Sequence, residues 1–298
     1  MQKKLIVIAG PTAVGKTDTA IKVAQHFGTE IVSADSRQCY REMTIGTAKP
    51  TTDELAAVHH YFIDSHSITE DLNAGDYEQL ALNYCMQIFD KNDYAVVCGG
   101  TGLYIKALCE GIDEMPKTDR AIEHELQKGF DENGIAWLQS IVANEDPEFY
   151  EHAEQQNPAR LIRALAFKRT NGVSITTYRS GQTKPRPFDI IKIGLELPRA
   201  ILYDRINRRV EIMMQQGLWE EASNLYPQRH LKNLQTVGYS EIFECLDGLL
   251  SKEKSIELIK QHSRNYAKRQ LTWFKKDATF KWFEPQDVNA ILEYILQA

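Results

Sequence analysis

The chain has little of what would make it secreted, zinc-bound or membrane-embedded. Its five cysteines, Cys39, Cys85, Cys98, Cys109 and Cys245, form an odd set with no C-x-x-C pair. That argues against a disulfide framework or a zinc site, and for a reducing compartment. No apolar run is long enough to span a bilayer, and the first, Leu5–Ala9, is too short for a signal-peptide core. A cytoplasmic protein with no membrane partner is therefore expected. Internal repeats and low-complexity tracts are also missing. What remains is ordinary for a folded globular protein, with 43% hydrophobic and 26% charged residues.

Two further absences are local. No Asp or Glu occurs from Gln155 to Phe188, where Arg160, Arg163, Lys168, Arg169, Arg179, Lys184 and Arg186 all lie. A second acid-free run covers Lys260 to Lys276 and holds Arg264, Lys268, Arg269 and Lys275. The net charge of −6 by itself speaks weakly against a nucleic-acid partner. Each run alone reads as a solvated face. Two of them beside a phosphate site point equally well to a polyanionic partner.

The N-terminal stretch reads as strand, loop, helix, strand. Leu5–Ala9 is a continuous apolar run, as in a strand buried on both faces of a parallel sheet. Ala20, Val23, Ala24 and Phe27 recur at helical spacing, and Gly28 is a natural stop. Ile31–Ala34 predicts a second strand ending at Asp35. Tyr94–Cys98 predicts a third, running into Gly99-Gly100 and a helix from about Leu103. Ile190–Leu197 predicts a later strand, with Pro198 at a helix start. Between them the strand signal disappears and apolar positions recur as in helices. The expected fold is α/β, a P-loop NTPase-like parallel sheet flanked by helices. Residues 1–112 and 183–298 form the catalytic core and residues 113–182 a mainly helical insertion domain. The C-terminal third reads as helical throughout.

Gly10-Pro11-Thr12-Ala13-Val14-Gly15-Lys16-Thr17 fits G-x-x-x-x-G-K-[ST], with a strand before it and a helix after it. Loop amides and the helix N-terminus suit phosphate oxygens, Lys16 adds a full charge, and the Thr17 hydroxyl is placed for Mg²⁺. An ATPase would normally carry a Walker B carboxylate at the end of an apolar strand. Tyr94–Cys98 ends instead in Gly99-Gly100-Thr101-Gly102, which counts against a motor or switch NTPase. The carboxylate stands at the end of the second strand, within Asp35-Ser36-Arg37-Gln38. There Asp35 can serve as a base on an acceptor nucleophile, or as a helix N-cap.

With those residues in view, the chain resembles the tRNA dimethylallyltransferases (tRNA isopentenyl transferases) over nearly its whole length. The resemblance rests on Gly10–Thr17, Asp35–Gln38 with Tyr40, Ile45–Pro50, His59-His60, Ala74–Asp76 and Gly99–Tyr104. Asn157–Arg160 with Arg163–Leu165, Gln235–Tyr239 and Tyr266–Phe274 complete the series. It implies transfer of a dimethylallyl group from dimethylallyl diphosphate to N6 of the adenosine just 3′ of the anticodon. The P-loop would then hold the leaving diphosphate, with Mg²⁺, and cleave no phosphoanhydride. Asp35 is the expected base, and Arg37, Gln38 and Thr101 are the family positions that hold the flipped adenine. For Gln38 and Thr101 turn or cap chemistry is an equal alternative. Gln156, Asn157, Pro158, Ala159 and Arg160, and the Gln235 to Tyr239 run with Gly238, match family segments that touch tRNA. Ser36 falls within the same acceptor segment. Arg205 and Arg209, one helical turn apart, are each placed to clamp the diphosphate or to face solvent. The chain departs from the family pattern at Glu123 and Ser240, where basic residues are usual.

His59-His60 lacks a third metal ligand and reads as structural, and Trp273-Phe274 and Met213-Met214 read as core. A monomer is expected. The rivals are a cytokinin-type prenyl transferase on free adenine nucleotides, a P-loop metabolite kinase, and a non-catalytic RNA-binding protein.

Overall fold

The apolar runs form strands in a computed structural model that describes residues 2–298. In chain order β1 (Lys4–Ala9), α1 (Lys16–Phe27), β2 (Ile31–Ser33), α2 (Thr52–Ala57), β3 (His60–Tyr61), α3 (Ala74–Phe89), β4 (Tyr94–Gly99) and α4 (Gly102–Glu110) come first. The helices α5 (Arg120–Glu145), α6 (Pro147–His152) and α7 (Pro158–Asn171) follow. Then come β5 (Asp189–Leu195), α8 (Arg199–Gln215), α9 (Leu218–Leu225), α10 (Ser240–Leu246), α11 (Lys252–Phe274), β6 (Lys281–Phe283) and α12 (Val288–Gln297).

Strand order is β3-β2-β4-β1-β5-β6, and every pairing is parallel. The two edge strands escape the sequence reading, and β6 corrects the expectation of an all-helical C-terminal third. At two and three residues they are too short to show a period. Their neighbours' unpaired backbone groups select them instead. One face of the sheet is covered by a cluster that includes Tyr77, Cys85, Ile105, Leu108, Leu218 and Ile242. The other face packs Ala20, Val23, Leu202, Ile206, Ile291 and Ile295. Helix α11 serves both, with Ile259 and Phe274 in the first cluster and Ala267 in the second.

The described chain divides into two compact units. One runs up to Gly111 and resumes at Pro185; the other is Ile112–Lys184. The second unit has its own core, in which Leu126, Leu138, Val142, Leu161, Leu165 and Ile175 are buried. Its α5 is broken at Gly134, where φ is 76°. Buried Asp146 ties it locally, capping α6 at the Phe149 amide and accepting from the Ser174 hydroxyl at 2.8 Å. Among the described residues no helix is long and apolar enough to cross a membrane.

Trp273 departs from its expected place. Phe274 is buried but Trp273 keeps 42% of its surface exposed, because consecutive residues of a helix point roughly 100° apart. Met213 and Met214 are half-buried against the first cluster. His60 lies in β3, its Nδ1 at 2.8 Å from the Val58 carbonyl oxygen.

Candidate active site

The parallel register sets three loops side by side. Ala9, the last residue of β1, pairs with Gly99 of β4 and Gly194 of β5, and Ser33 of β2 pairs with Cys98. Gly10–Thr17, Asp35–Gln38 and Gly100-Thr101 therefore leave adjacent strands at the same carboxyl edge, where open α/β sheets bind their ligands. Backbone bonds lock the level: Ala34 N–H donates to the Cys98 carbonyl at 2.8 Å, and Thr101 N–H to the Ala34 carbonyl at 3.1 Å.

The phosphate loop is held open by its backbone. Gly15 has φ 112°, a conformation that side chains resist. Ala13, with φ 63°, adopts the left-handed region despite its Cβ, at a cost of about 1 kcal/mol. Lys16 Nζ folds back to donate to the Pro11 carbonyl at 2.8 Å. Burial lowers its pKa to about 8, opposed by the nearby Cys98 and Asp35 and assisted by Arg209. An arriving anion would offer that ammonium a charged partner in place of a carbonyl. Both arginines singled out in the sequence reach this loop from α8. Arg205 donates to the Val14 carbonyl at 3.1 Å, and Arg209 to the Thr12 hydroxyl at 3.4 Å. Burial also lowers the Arg209 pKa.

Facing this loop is the Asp35 turn. Asp35 Oδ1 accepts from the Arg37 amide at 2.9 Å and the Gln38 amide at 3.3 Å. No helix begins here for Asp35 to cap, so the helix N-cap read as the alternative is not present; Oδ1 instead holds a turn over residues 36–39. Thr101 Oγ1 accepts from the Ser36 amide at 3.0 Å and lies 3.3 Å from the Ser36 hydroxyl. Arg37 is half-buried, with Nη1 donating to the Ser36 carbonyl at 3.3 Å. Gln38 is committed within the protein: its Nε2 donates to the carbonyls of Thr47 and Ala48 at 3.2 and 3.0 Å. The Ser33 hydroxyl donates to its Oε1 at 3.4 Å.

The other sequence candidates fall elsewhere. Gln235 is exposed, but Gly238 is buried and Tyr239 is completely buried, so the Tyr239 ring presents nothing at the surface. Gln156, Asn157, Pro158, Ala159 and Arg160 belong to the second unit. There Asn157 caps α7 by accepting from the Arg160 amide at 3.3 Å, and Arg160 pairs with Glu154 at 2.8 Å on an exposed surface. Arg163 is exposed, and the Arg179 guanidinium packs over the Phe149 ring; its pKa is lowered, first by that partial burial and then by Arg163 and Arg160.

Two site residues were missed by sequence reasoning. Buried Gln270 accepts from the Thr12 amide at 2.8 Å and donates to the Gly100 carbonyl at 2.9 Å, bridging two of the three loops. Tyr266 stands near Asp35 and Arg37 and bonds the Thr101 hydroxyl; burial is the main cause that pushes its phenol up to about 12. Both lie on α11 in the second acid-free run, where charge drew attention to their basic neighbours.

The donor set also bears on a metal. Among the described residues no cluster of three His, Cys, Asp or Glu could cage an ion. The one protein oxygen expected to serve, the Thr17 hydroxyl, is hard. That fits Mg²⁺, which keeps several waters and is bound largely through substrate phosphates.

Comparison with known proteins gives the same picture. A family model described as IPP transferase matches residues 38–277. A tRNA dimethylallyltransferase of Christiangramia forsetii is 48% identical over 296 residues, covering 99% of this chain and 98% of that protein. One from Cytophaga hutchinsonii is 45% identical, covering 99% and 97%. Among solved structures, the tRNA isopentenylpyrophosphate transferase of Bacillus halodurans superposes with a TM-score of 0.74 at 35% identity, covering 99% of this chain and 96% of its own. A eukaryotic dimethylallyltransferase, described as acting on tRNA, superposes with a TM-score of 0.75 at 26% identity, covering 91% and 69%.

Proposed function

Because the chain belongs to the tRNA dimethylallyltransferase (IPP transferase) family, we propose that it moves a dimethylallyl group from dimethylallyl diphosphate to N6 of the adenosine just 3′ of the anticodon. The observation that carries this reading is the pairing of a phosphate grip at the end of β1 with a carboxylate at the end of β2, on either side of β4. Asp35 is close enough to Lys16 to oppose the lowering of its pKa by burial, while β4 ends in glycine where a Walker B acid would stand. A base beside a diphosphate site, without the metal-holding acid of an ATPase, suits transfer of the group attached to the diphosphate.

In this reading the allylic C–O bond breaks, the C–N6 bond forms, and the N6 proton passes to Asp35 while diphosphate leaves. Charge grows on the diphosphate as the C–O bond opens. Lys16, loop amides within Gly10–Thr17, Arg205 and Arg209, which all lie at this loop, would meet it. Mg²⁺, held by Thr17 and the diphosphate, would supply further neutralisation of that charge. Ser36, Arg37, Thr101 and Tyr266 line the acceptor side. The basic surface around Arg160, Arg163 and Arg179 is assigned to tRNA phosphates, with residues 113–182 as the tRNA-contacting insertion domain. One chain carries both loops and both acid-free runs, which supports action as a monomer.

The test is incubation with Mg²⁺, labelled dimethylallyl diphosphate and unmodified tRNA, with AMP and ATP as parallel acceptors. Label on the adenosine beside the anticodon is expected. Label on the free nucleotide, or ATP consumption without transfer, would overturn the reading.

A further inference from the structure

Three consecutive backbone amides of an irregular loop aim at one carboxylate. Glu221, on the first turn of α9, accepts from Thr44 N–H at 3.1 Å and Ile45 N–H at 2.8 Å through Oε2. Through Oε1 it accepts from Gly46 N–H at 3.0 Å and from the Tyr239 hydroxyl at 2.6 Å. The Tyr239 ring lies flush on the backbone here, since a Cβ on Gly46 would overlap it. Burial, with the neighbouring Glu221 carboxylate adding to it, raises the Tyr239 pKa far above that of free tyrosine, so its hydroxyl remains a donor.

The far side of the same loop faces the Asp35 turn. Thr47 and Ala48 offer their carbonyls to Gln38 Nε2, and Gln38 N–H in turn bonds Asp35 Oδ1. Lys49 fastens the end of the loop, donating to the Tyr40 carbonyl at 2.6 Å and pairing with Asp64. A continuous hydrogen-bonded path therefore runs from Glu221 through residues 44–48 and Gln38 to Asp35. Each link is backbone or a half-buried side chain.

We infer that Glu221 is a positioning residue for the transfer step, fixing through this loop where Gln38 and the Asp35 carboxylate stand. The inference rests on the reading of Asp35–Gln38 as the acceptor side. The demand for a carboxylate follows from counting. Two ionised oxygens offer about four acceptor sites, and four donors use them. An amide of the same shape would turn an NH₂ group toward at least one N–H, leaving that donor unmatched and pushing the loop away. This also gives Tyr239 its role: it acts from inside the core as the fourth donor to Glu221, not as a surface contact with RNA.

The experiment compares wild type, Glu221→Gln and Tyr239→Phe, measuring transfer to tRNA, affinity for inorganic pyrophosphate and thermal melting. At saturating tRNA, Glu221→Gln should lower kcat roughly 10- to 100-fold, as a small misplacement of reacting groups does. Pyrophosphate affinity should stay within about twofold, because the phosphate loop is outside this path. Tyr239→Phe removes one donor of the four and should lower kcat by a smaller factor with its melting intact. Unchanged kcat in both variants would overturn the inference. So would a loss of pyrophosphate affinity in step with kcat, which marks a purely structural role. If Glu221→Gln does not fold, Tyr239→Phe decides alone: reduced kcat at normal melting supports positioning and normal kcat refutes it. Wild-type protein that never labels tRNA would remove the underlying reading, whatever the variants do.

Discussion

Asp35 uses Oδ1 to accept from the Arg37 and Gln38 amides, and an asparagine could do the same. Asp35→Asn should therefore keep the turn and isolate the loss of charge and basicity. The expected outcome is a kcat lower by roughly 10²–10⁴-fold, with pyrophosphate affinity near that of wild type. Single-turnover transfer assays beside equilibrium binding would check it, and full turnover in the variant would remove Asp35 from the chemistry. At this scale sequence spacing finds residues that act within a motif. Lys16, Thr17 and Asp35 were legible because a loop and a strand end announce them. Gln270 and Glu221 were not, since their partners lie 258 and about 176 positions away and no local period marks a long-range hydrogen bond.

Among the elements, α4 links the site to the core. It starts right after Thr101, and its far end is fastened by Arg186. Arg186 Nε donates to the Leu108 carbonyl at 2.8 Å and Nη2 to the Ala107 carbonyl at 2.8 Å. Nη2 also pairs with Glu78 at 2.7 Å, with both side chains buried. Arg186→Ala would remove the arginine cation beside the buried Glu78 carboxylate and take one donor from each of two helix carbonyls. A loss of about 3–5 kcal/mol in unfolding free energy is expected, read as a lowered midpoint in urea. A shift below about 1 kcal/mol would show that the pair adds nothing. The sequence placed Arg186 in a basic run, so composition alone counted it among residues free for a polyanion. Burial assigns it to the core. The long central strands were legible because each is an uninterrupted apolar run. The edges β3 and β6 were invisible because tertiary pairing, not propensity, defines a strand of two or three residues.

For the whole molecule the sign of the charge depends on where one looks. A net charge of −6 coexists with two acid-free runs, so RNA affinity cannot be judged from the total. If the Arg160, Arg163 and Arg179 surface neutralises tRNA phosphates, log affinity should fall steeply and linearly with log salt. Replacing Arg160 and Arg163 together by alanine should flatten that slope by about 1–2, measured by filter binding over a salt series. An unchanged slope would move the RNA contact elsewhere. The parallel sheet has a separate consequence, in the order of events during synthesis. β1 lies between β4 and β5, and its Lys4 pairs with both Tyr94 and Asp189. The strand that carries the phosphate loop is made before both of its neighbours, and it lacks one of them until β5 has left the ribosome. The residues from Ile112 to Lys184 find their core partners among themselves and can condense sooner. At roughly 5–20 residues per second, β1 waits seconds for its partner, while a segment made after it can already be folded.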